Sequence, residues 1–197
     1  MDETRTAMRE AAEDIYFGQV VLIWARWFVI LATAILAFWS SDTAGKLSAR
    51  VPILVILLGM NFFLHYRTLM DRPANSRVLI ASSLIDLVVI GVIIATWQGH
   101  GLSSPYFVLL YPVMFAFALV FPPRLTAAYT LLTIGTYLVI CLLTGPSLFH
   151  ADNAKIFVER IITLGSVAGL GAYYWRIQRA RRRTSGLQQR QGRSALV

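Results

Sequence analysis

"VLIASSLIDLVVIGVIIATW", Val78–Trp97, carries a single ionisable side chain, Asp86, in an otherwise apolar run. An α-helix needs roughly 20 mostly apolar residues to cross the hydrocarbon of a bilayer, and this run supplies them. Its apolar residues are continuous and do not alternate with polar ones, which argues against a barrel strand. Working outward, Val20–Ser40, Val51–Met70, Pro105–Phe121, Leu125–Thr144 and Ile156–Trp175 qualify or nearly qualify in the same way. The breaks between runs hold turn signals: "SSDTAGK", "DRPANS", "QGHGLSS", "FPPR" and "TGPSLFHADN". Each connection is short, so neighbouring helices are expected to be antiparallel.

The composition agrees. The chain has 197 residues, 57% of them hydrophobic and 14% charged, against about 25% charged in a soluble domain. The expected fold is all-α: a polytopic membrane protein with six transmembrane helices in a bundle. Cys141 is the single cysteine, so no intrachain disulfide framework exists. It lies in an apolar run and is expected to be a buried, inert thiol.

Lys and Arg set the orientation, because cytoplasmic loops carry an excess of them. Arg5 and Arg9 precede the first run. Arg67, Arg72 and Arg77 fill the second connection and Arg124 the fourth, and seven arginines follow the last run from Arg176. The opposite side has only Lys46, Arg50 and Lys155. Both termini are therefore expected in the cytoplasm of a bacterial cell, N-in and C-in across the inner membrane. The connections that begin near Ser41, Gln98 and Gly145 face outward. Trp24, Trp27, Trp39, Trp97 and Trp175 fall near span ends, as interfacial anchors do. The net charge of +8 comes mostly from one end and bears on topology, not on nucleic acid.

The expected organisation is a cytoplasmic N-terminal segment, 1–19, a six-helix domain, 20–177, and a basic, poorly ordered tail, 178–197. The N-terminus is acidic and the first run is longer than a secretory signal, so a retained anchor is expected. Gly186, Gly192 and polar composition argue for disorder in the tail.

Ionisable groups within a span are costly and mark sites. Asp86 lies about 13 Å into the third run at ~1.5 Å per residue. Ser82 and Ser83 precede it on the same helical face. Asp86 is either an interior carboxyl bonded to a neighbour or a proton- or ligand-responsive group. Arg26, in "WARWF", is expected to mark the cytoplasmic interface beside Trp24 and Trp27. Asn61 is expected to join helices. Glu159 and Arg160, adjacent in sequence, cannot face each other on a helix. Each snorkels or finds another partner, and Arg160 has the outward connection within its direction. Gly165 and Gly169 form a small-xxx-small pair, either packing inside the bundle or forming a homodimer seam.

The stretch "TWQGHGLSSPYFVLLYP", Thr96–Pro112, interrupts the apolar pattern. Gly99 and Gly101 permit a turn. Ser104 suits a helix cap and Pro105 the first helical turn. Neither argument accounts for His100 or Tyr106. None of His65, His100 and His150 is paired at i, i+4, and no metal site is expected. The chain has no Gly-rich phosphate loop, no nucleophile with its base and no zinc-protease motif, so no catalytic residue is assigned.

"HGLSSPYFVLLYPVMFAFAL", His100–Leu119, with Arg26–Trp27 and Asp86, resembles the membrane sensor region of RegB/PrrB-like six-span sensor histidine kinases. The redox-sensing members carry Gly-Gly-x-x-Asn-Pro-Phe, linked to quinone sensing. Gly101 and Pro105 match it, while His100, Ser104 and Tyr106 stand where Gly, Asn and Phe would be. The looser relatives, with Ser before Pro, fit better. The resemblance covers roughly residues 20–178 and implies a signal-input module that binds a lipophilic ligand, with quinone as candidate cofactor. It also implies a homodimer and a cytoplasmic kinase beyond the sixth span. No histidine follows His150, so this chain is expected not to phosphorylate itself. It is either the sensor part of a longer kinase or a standalone protein.

The expected ligand site is Trp97, His100, Gly101, Ser104, Pro105 and Tyr106, with Asp86 as a polar group below them. The alternative is a small transporter or membrane-assembly subunit, in which Asp86, Arg160 and Asn61 line a pathway.

Overall fold

A computed structural model describes the backbone of residues 2–39, 44–70, 75–97, 99–144 and 150–194, and side chains within 16–178. The connections at 40–43, 71–74 and 145–149, and Gln98, lie outside the described residues. The chain is all-α. Its helices are α1 (Asp2–Trp39), α2 (Ala44–Leu69), α3 (Ser76–Thr96), α4 (Leu110–Val120), α5 (Pro123–Thr144) and α6 (Ala151–Ser194). Two 3-10 turns, Gly101–Ser103 and Pro105–Leu109, join α3 to α4.

Five segments are long and apolar enough to cross a bilayer: Tyr16–Trp39, Arg50–Leu69, Ser76–Thr96, Pro123–Thr144 and Ala151–Gln178. The fourth expected span is shorter, Pro105–Val120. Five 3-10 residues and eleven α-helical ones give a length of about 26 Å, under the ~30 Å hydrocarbon core. Prolines bound it: Pro105 opens the 3-10 turn, and Pro122 and Pro123 follow its end. Pro112 falls in the first turn of α4, where its missing N–H costs little.

Contacts fix the directions of the helices. Gln19 on α1 bonds Leu64 and Thr68 on α2, and Arg50 bonds Ala37, so α1 and α2 are antiparallel. Gly18 meets Val120 while Tyr106 meets Leu36, so the Pro105–Val120 segment also opposes α1. Phe107 lies by Arg160 and Ala118 by Gly171, so α4 and α6 are parallel. α5 opposes α4 through Met114–Thr133 and Phe107–Tyr137, and α3 is parallel to α5. α1, α3 and α5 therefore run one way and α2, α4 and α6 the other. The start of α1 and the end of α6 share one end of the bundle, called here the near end.

α4 is the centre. Leu110, Val113, Met114, Ala116, Phe117 and Ala118 are all buried. Two glycines let neighbouring helices approach it. A methyl added at Gly171 would lie 2.5 Å from Ala118 Cβ, and one at Gly18 would lie 2.7 Å from Val120 Cγ1. On α1 the inward stripe is Gln19, Leu22, Ile23, Arg26, Val29, Thr33 and Ala37, while Trp24, Phe28, Leu31, Ile35 and Phe38 point out. Polar groups inside and aromatics outside invert the pattern of a water-soluble helix. An apolar surface this extensive is what lipid covers.

Three expectations are corrected. Arg26 does not mark an interface: it is 2% exposed and bonded within the bundle. Trp97 is not an outward anchor but is buried against Tyr106. Gly165 and Gly169 do not pack inside the bundle. Both are exposed, with no atom within 4 Å of an added methyl, because Leu164, Ala168 and Gly171 form the face turned to α4. In addition, α6 is helical through Ser194, past residue 178, where a boundary is expected.

Candidate functional site: an aromatic cluster and a buried ion pair

The far end of the bundle is organised by the turn after α3. Gly99, His100 and Gly101 have φ of 86°, 24° and 58°. A side chain at Gly99 would collide with the Ser103 carbonyl, so this position requires glycine. His100 tolerates the left-handed region less readily. Its exposed ring places Nδ1 2.9 Å from the Ala95 carbonyl, near the end of α3. That contact gives His100 a local role at the helix end.

The turn delivers Ser104 and Tyr106 to the core, while Pro105 between them stays exposed. Tyr106 is buried, stands edge-on to Trp97 with centroids 5.1 Å apart, and donates to the Leu36 carbonyl at 3.3 Å. The guanidinium of Arg50, at the start of the α2 span, lies 5.1 Å from the Trp97 ring and donates to Ala37 O at 3.3 Å. On the other side of the same 3-10 turn, Phe107 packs on Tyr137 at 4.7 Å. Arg160 lies 4.7 Å from the Phe107 ring and donates to Tyr137 Oη at 2.6 Å. One arginine thus lies against Trp97, the ring partner of Tyr106, and the other against Phe107, the next residue of the turn. Pro105 occupies the first helical position, as expected, but Ser104 makes no capping bond. Its Oγ is buried with no hydrogen-bond partner.

Toward the near end, Arg26 on α1 reaches α3. Its Nε donates to Asp86 Oδ2 at 2.7 Å, and Nη2 donates to Ser82 Oγ. Tyr129 on α5 donates to the Ser83 carbonyl at 2.9 Å. The carboxylate is compensated by the charge of Arg26 and the hydrogen bond it donates, as a buried ion requires. Asp86 and Trp97 are eleven residues apart on α3, or about 16 Å along its axis.

Of the expected ligand-site residues, Trp97, Gly101, Ser104 and Tyr106 come together as buried groups. His100 and Pro105 lie at the exposed edge, and Asp86 belongs to a separate polar centre. Arg50 and Arg160 were missing from the expected set. Both sit at or near the edge of an apolar run, a signal that reads equally well as snorkelling. No family model, curated protein or solved structure matches the chain.

Proposed function

We propose that this protein is a multi-pass sensory input module of the bacterial inner membrane, with the near end cytoplasmic. The lipid-facing surface and the arginines at helix ends Arg67, Arg77, Arg124 and Arg176 support that placement. The observation that carries the sensory reading is the position of Pro105–Leu109. This 3-10 turn holds the Trp97–Tyr106 and Phe107–Tyr137 contacts and continues into α4. α4 lies in backbone-close contact with α6 at Gly171, and α6 runs on to Ser194.

In this conformation the aromatic cluster is closed. A lipophilic ligand with a polar head, such as a quinone, would reach Ser104 Oγ by moving the 3-10 turn. That movement shifts α4 and, through Gly171, α6. The ligand biases two packings of the bundle, and α6 carries the bias to a cytoplasmic partner or domain. A homodimer places two such helices side by side.

The test is binding of a short-chain ubiquinone to the chain in nanodiscs, read by tryptophan fluorescence, with spin labels on α6 reporting movement. Binding that Tyr106→Ala abolishes, with a ligand-dependent change in α6, supports the reading. Absence of quinone binding removes quinone as the signal, and an unmoved α6 removes the sensory role. The second reading, a transporter or assembly subunit, is favoured by one observation: Gln19, Arg26, Asn61, Ser82 and Asp86 place buried polar groups within the bundle. Solute flux in proteoliposomes that Asp86→Asn stops would decide for it.

A further inference from the structure

We infer that a bound water molecule bridges Arg26 and Asn61 between α1 and α2, making α2 a third member of the Arg26–Asp86 centre. The two helices are antiparallel from Gln19–Leu64 through Trp27–Phe62 to Ala37–Arg50. This register sets Asn61 beside the turn of α1 that carries Arg26. Both side chains face inward, since Asn61 is 0% and Arg26 2% exposed. Two nitrogens of the guanidinium are engaged, by Asp86 and Ser82. The third, Nη1, has no partner, and neither Oδ1 nor Nδ2 of Asn61 has one.

Three unpartnered polar atoms on two inward-facing side chains thus fall at one level of the α1–α2 pair, out of reach of solvent. Buried polar groups are nearly always satisfied, and an internal water characteristically makes about three hydrogen bonds to groups that protein leaves over. A water molecule accepts from Arg26 Nη1 and donates to Asn61 Oδ1, matching a donor and an acceptor at once. A direct Arg26–Asn61 bond is not made, since neither Nη1 nor Oδ1 has a partner. The hydroxyl of a larger molecule offers the same donor–acceptor chemistry, so the measurement must identify water itself. This inference does not depend on the sensory reading.

The experiment uses the full chain in nanodiscs with 15N-asparagine. The side-chain amide of Asn61 is assigned by elimination, using Asn75→Ser and Asn153→Ser samples. The expected result is a cross-peak between that amide and a long-lived water. Asn61→Leu, similar in volume, should then lower the melting temperature by about 3 °C or more, because the water that accepts from Nη1 loses its anchor on α2. A well-resolved Asn61 amide with no water cross-peak overturns the inference. So does an Asn61→Leu protein as stable as the parent or more so. If that variant fails to fold, the cross-peak alone decides.

Discussion

Arg26 on α1 and Asp86 on α3 are joined by a 2.7 Å bond between two nearly inaccessible side chains. Each residue alone would be an uncompensated charge inside an apolar bundle. Removing one partner of such a pair characteristically costs about 3–5 kcal/mol, whereas replacing both with apolar residues is often neutral. Asp86→Leu and Arg26→Met should therefore each destabilise strongly. The double variant should be more stable than either single one. Thermal unfolding in nanodiscs gives the coupling, and additive losses would show that the pair is not energetically linked.

The glycines of α6 should separate into two classes. An added methyl at Gly171 meets Ala118 Cβ at 2.5 Å, with the Phe115 carbonyl behind it at 3.4 Å. Gly171→Ala should thus cost about 1–3 kcal/mol through displacement of α4. Gly165→Ala and Gly169→Ala meet nothing within 4 Å. They should leave the fold unchanged or gain up to ~1 kcal/mol each from helix propensity. If a second copy seats on this stripe, the pair of alanines should lower the dimer fraction in native mass spectrometry while unfolding stays constant.

The all-α class and the placement of the long apolar segments were legible because uninterrupted runs near 20 residues leave few alternatives. The presence of a polar centre was legible at Asp86, but its partner was not. Arg26 sits early in a run counted from Val20, so it resembles an interfacial residue. The helix begins well before Val20, at Asp2, and Arg26 falls on its inward face against Asp86. Small-residue spacing likewise marks a close approach without saying which face makes it. Gly165 and Gly169 satisfy the pattern, yet Gly171 makes the contact, because α4 lies on that side. At the far-end cluster, Trp97 and Tyr106 stand out in sequence. The arginines of the cluster, Arg50 beside Trp97 and Arg160 beside Phe107, come from α2 and α6, distant in sequence and brought in by packing.

Gly99 should tolerate no side chain. Its φ of 86° is unfavourable for L-residues, and an added methyl would run into the Ser103 backbone. Gly99→Ala should cost roughly 1–3 kcal/mol. It should also loosen the Trp97–Tyr106 contact that the turn holds in place. Tryptophan fluorescence and thermal unfolding, measured together, check both effects. An unchanged protein would mean the turn adopts another conformation in the membrane.

Arg160 should depend on shape as much as on charge. Its guanidinium stands 4.7 Å from Phe107 while Nη1 donates to Tyr137 Oη at 2.6 Å. A planar cation stacks on a ring and directs a hydrogen bond at the same time, which an ammonium does poorly. Tyr137→Phe deletes the acceptor but keeps the ring, so it should cost about 1.5–3 kcal/mol, the range for a bond to a charged group. Arg160→Lys keeps the charge but loses the planar stack, so it should be measurably less stable than the parent. Arg160→Ala, losing both, should exceed it. If Arg160→Lys matches the parent and only Arg160→Ala falls, the cation serves as a point charge at the membrane surface. The predicted order, Ala worse than Lys and Lys worse than Arg, places it instead as a packed element of the far-end aromatic cluster.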